Sequence, residues 1–126
     1  MRTTGARRVA WTRVGVGLSM VIAPRLVLRS ATRDISGSML LLTRTVGIRD
    51  VVIGAGSLLA LATGSPADAR RWVIAGTASD VLDVAAGATS ASWVGRPAAI
   101  VATVVAAQMA AADVWVLLGS DDVSAA

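Results

Sequence analysis

The chain has 126 residues and a formal net charge of +4; apolar residues make up 55% of it and charged residues 16%. Soluble domains have roughly 45–50% apolar and about 25% charged residues, so this composition leaves too little polar surface to coat a water-soluble globule. The absence of His and Cys removes the usual general base at neutral pH, thiol chemistry and the commonest zinc ligands. We therefore predict no metal and no cofactor, and the small basic excess without interleaved aromatics disfavours nucleic-acid binding.

Apolar segments separated by turn signals divide the chain into four predicted helices. The turns are marked by Pro24, by residues 63–66 (Thr-Gly-Ser-Pro) and by residues 95–97 (Gly-Arg-Pro). The predicted fold class is all-α, with four transmembrane helices in one compact bundle that occupies residues 1–126. The predicted spans are residues 9–23, 38–62, 69–93 and 97–118.

The first predicted span is short and carries Arg13, which we expect to snorkel outward toward the membrane surface. A cleaved signal peptide is the alternative, although no small-x-small cleavage site follows the segment. In the segment 24–37, Arg25, Arg29 and Arg33 recur every four residues and would form one basic stripe on a helix. The segment is open to two interpretations, a short interfacial helix against anionic headgroups and a plain polar loop.

The last two predicted spans carry features typical of helices in lipid. Trp72 and Trp93 lie 21 residues apart, about 31 Å along a helix, which matches a hydrocarbon core of roughly 30 Å with Trp at both interfaces. The fourth span is apolar nearly all round, and its only polar side chains are Thr103, Gln108 and Asp113. Two rows of small residues predict close helix packing there: Ala98, Ala102, Ala106 and Ala110, and beside them Ala99, Thr103, Ala107 and Ala111.

Charged residues near the middle of the second and third spans are the candidate site. Each such charge costs about 2.5–3.5 kcal/mol at mid-helix, so buried charges tend to face the bundle interior and pair. Arg49 should therefore contact Asp80, Asp83 or both, which lie on one helical face. Asp50, the fourth residue of the cluster, should then face Arg44, Arg13 or water. Further candidates are Arg44, Asp113 and Gln108, of which Arg44 and Asp113 are expected to reach toward the interfaces. Because carboxylates outnumber guanidinium groups, we expect a protonated Asp, water, a cation or Arg13 to compensate.

Residues 44–54, Arg-Thr-Val-Gly-Ile-Arg-Asp-Val-Val-Ile-Gly, resemble an arginine–glycine–arginine–acid motif found in small actinobacterial membrane proteins. In those proteins a Trp and a pair of Asp residues follow, similar to Arg71-Trp72, Asp80 and Asp83 here. The resemblance covers about residues 10–90. It implies four spans and a place in a four-helix family of unknown function, located in the plasma (inner) membrane.

Several functions are compatible with this pattern. The favoured prediction is a module that binds a lipophilic ligand or a partner around the Arg/Asp cluster, with the lipid bilayer, a membrane partner protein or a second copy as partners. The alternatives are a proton- or cation-coupled transporter using Asp80 and Asp83, and an intramembrane acid/base isomerase or cyclase with a protonated Asp as the acid. A purely structural role, in which Arg49 and its partners fix helix register, is also open. Five arginines flank one side of the spans and four the other, which predicts both termini in the cytoplasm.

Overall fold

The structure, a computed structural model, describes residues 1–94 and 96–119. These residues form five helices and no strand: α1 Thr3–Ile22, α2 Pro24–Arg29, α3 Gly37–Ala62, α4 Pro66–Val94 and α5 Arg96–Leu118. The predicted all-α class is confirmed. The helices α3, α4 and α5 overlap the predicted segments 38–62, 69–93 and 97–118, whereas α1 begins six residues before the predicted start at Val9 because Arg7 and Arg8 continue the helix.

Pro24 determines the shape of the chain after α1. It has no amide hydrogen to continue the ladder, so α1 ends at Ile22, and Pro24 then occupies the first turn of α2. After α2, residues 30–36 form a turn and an irregular connection before α3 begins. The basic segment is thus helical in its first half and a loop in its second, and each of the two interpretations describes only part of it.

The four long helices run alternately up and down. Gly17 of α1 lies against Gly47 of α3, and Ala10 lies against Gly54. Residue numbers rise along one helix where they fall along the other, so α1 and α3 are antiparallel. At one end of the bundle the backbone amide of Arg2 donates to the carbonyl of Val116 at 3.1 Å, which joins the start of α1 to the end of α5. We call this the terminal end, and the opposite end, where α2 lies, the elbow end.

Helices α1 and α3 pack at backbone contact. A Cβ atom added to Gly17 would lie 2.6 Å from the carbonyl oxygen of Gly47, and one added to Gly54 would lie 2.7 Å from that of Ala10. Neither distance leaves room for a methyl group, so glycine is required at both positions by the approach of the two helices. Close approach through small residues is how helices associate where lipid gives no hydrophobic drive.

The small residues of α5 contact the bundle along a face that differs from either predicted row. Ala99, Ala106 and Asp113 are buried, whereas Ala107 and Ala111 are exposed. The buried positions recur every seven residues, so the contact face crosses from one row to the other, because a straight row of every fourth residue drifts around a helix of 3.6 residues per turn. The side chains of Ala98, Ala102 and Trp93 lie outside the described residues.

Helix α4 begins with a local capping arrangement at the terminal end. The hydroxyl of Ser65 donates to a carboxylate oxygen of Asp68 at 2.6 Å and accepts from the Asp68 amide at 3.4 Å. The hydrogen bond from Ser65, followed by the charge of Arg71, lowers the pKa of the exposed Asp68 carboxyl. Ser65 thus caps the first turn of α4 through its hydroxyl and sets where the helix starts after the turn.

Large apolar side chains are distributed on the outside of the described residues and small or charged ones on the inside. Six of the nine buried apolar residues are alanines, while Arg13, Asp50, Asp80 and Asp113 are also buried. Leu, Ile and Val side chains that are more than half exposed occur on every helix, among them Ile22, Leu26, Val52, Leu82 and Ile100. By length and composition one helix in the described part, α3, is suited to cross a membrane.

Candidate functional site

Arg13 lies at the centre of the charged cluster. It projects from the middle of α1 and is 2% exposed. Its Nη1 atom lies 3.3 Å from Oδ1 of Asp50, and its Nη2 atom lies 2.6 Å from Oδ2 of Asp113 and in direct contact with Oδ2 of Asp80. One guanidinium group therefore binds a carboxylate from each of the other three long helices, α3, α4 and α5.

Asp80 is the carboxylate that matches the guanidinium most completely. Its Oδ2 accepts from Nη2 of Arg13, and its Oδ1 accepts from Nη1 at 3.5 Å. Two parallel donors facing two parallel acceptors form the fork arrangement that gives Arg–carboxylate pairs their directional strength. The contact between α1 and α4 at mid-helix thus includes an ion pair that both carboxylate oxygens of Asp80 share.

Arg49 forms a second group on the outer side of the first. Its Nη1 atom lies 2.8 Å from Oδ2 of Asp83, and its Nη2 atom lies 3.2 Å from Oδ1 of Asp50 and 3.8 Å from Oδ1 of Asp80. The Oδ1 atom of Asp50 thus accepts from both arginines. The six residues form one network, in which Arg49 and Asp83 are the outer pair.

Exposure separates the two parts of the network. The side chains of Arg13, Asp80 and Asp113 are 1–3% exposed, whereas those of Arg49 and Asp83 are 28% and 36% exposed. We refer to Arg13 with Asp50, Asp80 and Asp113 as the inner hub, and to Arg49 with Asp83 as the outer edge. Only the outer edge offers a surface that a second molecule could contact without displacing side chains.

Gly76 has no side chain, and the inner hub occupies the space that a side chain at this position would fill. It lies on α4 one turn before Asp80, and a Cβ atom added to it would lie 2.9 Å from Nη2 of Arg13 and 3.0 Å from Oδ2 of Asp113. Those are the two atoms of the ion pair between α1 and α5. Any side chain larger than hydrogen at this position would push them apart or away from α4.

The network carries more negative than positive charge. Four carboxylates face two guanidinium groups, an excess of two formal negative charges. Two buried polar atoms have no hydrogen-bond partner in the described part of the chain, Nε of Arg49 and Oδ1 of Asp113. No group of three acidic residues there is arranged to hold a metal ion, since Arg13 occupies the point toward which Asp50, Asp80 and Asp113 converge.

The structure brings together most of the residues that the sequence pattern singled out. Arg49, Asp50, Asp80 and Asp83 lie in one network, and the expected contact of Arg49 is made with Asp83. Two further candidates lie elsewhere: Gln108 is exposed on α5, and the exposed Arg44 donates through Nε to the carbonyl of Val21 at 3.3 Å.

Two expectations about charge placement are wrong. Arg13 does not snorkel outward, and Asp113 does not reach toward an interface; both are buried and paired with each other. The other expectation for Arg13, that it compensates the excess carboxylates, is the one that its contacts with Asp50, Asp80 and Asp113 confirm. Arg13 lies on the one face of α1 that is lined by small residues, since Ala6, Ala10 and Gly17 are its buried neighbours at heptad-like spacing. That spacing was the signal that could have placed Arg13 inside, because a small-residue face is the face that neighbouring helices contact.

Comparisons of the chain with known protein families, with curated proteins and with solved structures find no match.

Proposed function

We propose that the chain is a four-span protein of the plasma (inner) membrane that binds a lipophilic partner with a polar group through the outer edge. The support for the membrane location is the distribution of side chains, with Ala, Gly and ion pairs inside and Leu, Ile and Val outside. Water would penalise that surface, because large contiguous apolar patches are uncommon on soluble monomers. Lipid favours it, and also favours charges that are paired in the bundle interior.

The lengths of the helices fit this location. The helices α1, α3, α4 and α5 have 20, 26, 29 and 23 residues, or about 30–44 Å each, which is enough to cross a core of roughly 30 Å. Charges in α1, α4 and α5 lower the mean hydropathy of those helices. Of the network charges in these three helices, Arg13, Asp80 and Asp113 are buried, so lipid would not contact them.

Tryptophan and arginine positions support an orientation. Trp115 is exposed near the terminal end, and Trp72 lies six residues after the start of α4 at the same end, whereas Trp11 is exposed near the middle of α1. Five arginines flank that end, Arg2, Arg7, Arg8, Arg70 and Arg71, against four at the elbow end, Arg25, Arg29, Arg33 and Arg96. We place the terminal end in the cytoplasm, in keeping with the positive-inside rule.

The outer edge carries the functional part of the proposal. Arg49 and Asp83 lie near mid-helix, where exposed Val52 and Leu82 flank them. Lipid tails cannot hydrogen-bond a charged pair that is about one third exposed, so the pair is stabilised when another molecule covers it. Because the network has two excess carboxylates, the fitting partner has an apolar body and a cationic or hydrogen-bond-donating group. A second copy fits less well, since it would bring the same negative excess.

The two alternative functions, transport and acid/base catalysis, would also use the excess carboxylates of the network. Both need repeated access of a proton, ion or substrate to the acids, and Asp80 and Asp113 are 1–2% exposed. Partner binding needs access only to Asp83, the most exposed acid of the network. The exposure of the outer edge is thus the single observation that favours binding over the other two functions.

Two measurements test the proposal. Alkaline carbonate extraction of membranes from expressing cells should leave the chain in the pellet; release into the supernatant would contradict the membrane location. For the edge, dodecylammonium and dodecanol should be compared as probes of the unfolding temperature of protein in lipid nanodiscs. We expect dodecylammonium to raise the unfolding temperature more than dodecanol does, and Asp83→Asn to abolish the difference.

A matched control separates binding at the edge from general attraction of the probe. Asp68→Asn also removes one carboxylate, but from the exposed first turn of α4, and it should respond to dodecylammonium like the wild type. Equal effects of the two probes, or an Asp83→Asn protein that still distinguishes them, would overturn the proposed role of the outer edge.

A further inference from the structure

A separate cleft lies at the elbow end, where α1 stops and α2 turns away from α3. It has a volume of about 320 Å³ and is lined by the end of α1, the start of α2 and one face of α3: Ile22, Ala23, Pro24, Arg25, Leu26, Leu40 and Arg44. The cleft exists because Pro24 ends α1 while α3 continues past it toward Gly37. It shares no residue with the inner hub or the outer edge.

The two arginines of the cleft have no acidic partner among residues 1–94 and 96–119. The ion pairs in the described residues involve Arg13, Arg49 and Arg71, and neither Arg25 nor Arg44 has a carboxylate oxygen within 4.0 Å. Arg44 is held in place because its Nε donates to the carbonyl of Val21 at 3.3 Å, in the turn that Pro24 interrupts. Its terminal nitrogens stay available to an anion.

The remaining walls are apolar and open to the surroundings. Ile22 is 75% exposed and Leu26 is 64% exposed, and both lie beside the arginines. A free inorganic anion would leave these walls uncovered, whereas an amphiphile with an anionic head would contact both kinds of surface. The cleft also lies at the level where α1 ends, which in a four-span arrangement is the level of the headgroups.

We propose that this cleft binds the phosphate of an anionic phospholipid, with Arg25 and Arg44 on the phosphate and with Ile22 and Leu26 against its acyl chains. Guanidinium groups bind phosphate through parallel N–H donors, and basic pockets beside membrane helices are suited to anionic headgroups. The proposal rests on the membrane location argued above, but it does not depend on the outer edge. It assigns a lipid-binding role to the segment between α1 and α3.

Native mass spectrometry of the detergent-solubilised protein with added lipid tests the cleft directly. We expect the wild type to retain phosphatidylglycerol in preference to phosphatidylcholine. Because a basic residue near an anionic surface contributes about 1 kcal/mol, Arg25→Gln should reduce retention of phosphatidylglycerol about fivefold. Leu26→Gln, which leaves the charge unchanged, should also reduce retention, since it removes part of the apolar wall.

The matched control is Arg29→Gln. Arg29 is an exposed arginine in the last turn of the same short helix but does not line the cleft, so its loss should leave the lipid preference unchanged. Inorganic phosphate in millimolar excess, on the order of a thousandfold over the protein, should not displace the lipid.

Three results would overturn the proposal: equal retention of both lipids, an equal effect of Arg25→Gln and Arg29→Gln, or displacement of the lipid by phosphate alone. The last would mark a free-anion site. This experiment uses detergent-solubilised protein, whereas carbonate extraction uses native membranes. A failure of the cleft proposal and a failure of the proposed membrane location therefore give different results. An Asp83→Asn protein that keeps the lipid preference would show that the cleft is independent of the outer edge.

Discussion

The inner hub and the outer edge are built from the same two residue types, yet their surroundings differ. In the hub one guanidinium binds three carboxylates from three helices, and the acids at its centre are almost fully buried. At the edge Arg49 binds Asp83 across α3 and α4 with about a third of each side chain exposed. The comparison indicates that the hub holds the bundle together, while the edge is free to contact another molecule.

Removing Arg13 should have the largest effect, because three carboxylates would lose a guanidinium partner at once and Asp113 would keep none among the described residues. Breaking a buried ion pair by deleting one partner costs about 3–5 kcal/mol, so Arg13→Ala should lower the free energy of unfolding by at least about 3 kcal/mol. Thermal unfolding in detergent or nanodiscs measures this. Arg8→Ala, which removes an exposed arginine of the same helix, should change stability by less than about 0.5 kcal/mol. Similar stabilities for the two variants would show that the hub does not hold the helices together.

Gly76→Ala tests the geometry of the hub without removing a charge. The added methyl group would meet Arg13 and Asp113 at about 3 Å, and overpacking of this kind costs about 1–3 kcal/mol. Gly15→Ala is the control, since nothing lies within 4 Å of a Cβ added there, and the helix propensity of Ala should make it neutral or stabilising by up to about 1 kcal/mol. If Gly76→Ala is as stable as Gly15→Ala, the hub is not packed against α4 as described.

A double-mutant cycle on Arg49 and Asp83 should give a coupling free energy that is smaller than the destabilisation expected for Arg13→Ala. Arg49→Ala should destabilise the protein more than Arg49→Ala combined with Asp83→Asn, because the single change leaves a carboxylate without its partner. Because the pair is partly exposed and Arg49 also contacts Asp50, we expect a coupling of about 1 kcal/mol. Effects of the two changes that add within about 0.3 kcal/mol would mean that the pair is not energetically coupled.

The two ends of the bundle differ only slightly in the number of flanking arginines, with five at the terminal end and four at the elbow end. A phosphatase fused after Ala126 should be inactive if the terminal end is cytoplasmic, because the enzyme needs an oxidising compartment for its disulfides. A green fluorescent reporter at the same position should be active. The opposite pattern of activities would invert the proposed topology without changing the fold.

The helices could be predicted from the sequence because local signals mark their boundaries. Pro24, the turn at residues 63–66 and the Pro97 region interrupt apolar segments, and helices end close to all three. A contact of Arg49 with Asp80 or Asp83 could be predicted from depth alone, since two opposite charges at the same depth in neighbouring helices tend to pair. Depth along a helix follows from residue number, whatever the packing of the bundle.

Arg13 could not be placed by depth because its burial depends on how α1 is rotated. Residue 13 is near mid-helix in either case, but only the contact with α3 decides whether its side chain faces outward or into the bundle. That rotation is set by Ala10 and Gly17, which allow α3 to approach. The same reasoning applies to Asp113, whose place in the hub follows from the packed face through Ala99 and Ala106.

The proposed membrane bundle is tested most directly by determining whether lipid or water surrounds the exposed apolar side chains. Because the chain has no cysteine, single variants Val52→Cys, Leu82→Cys and Arg8→Cys can each carry one nitroxide spin label in lipid nanodiscs. We predict that labels at Val52 and Leu82 are relaxed strongly by oxygen and weakly by a water-soluble nickel chelate, and that the label at Arg8 shows the reverse. If the nickel chelate relaxes the Val52 and Leu82 labels as strongly as the Arg8 label, the apolar exterior faces water and the proposed membrane bundle is wrong.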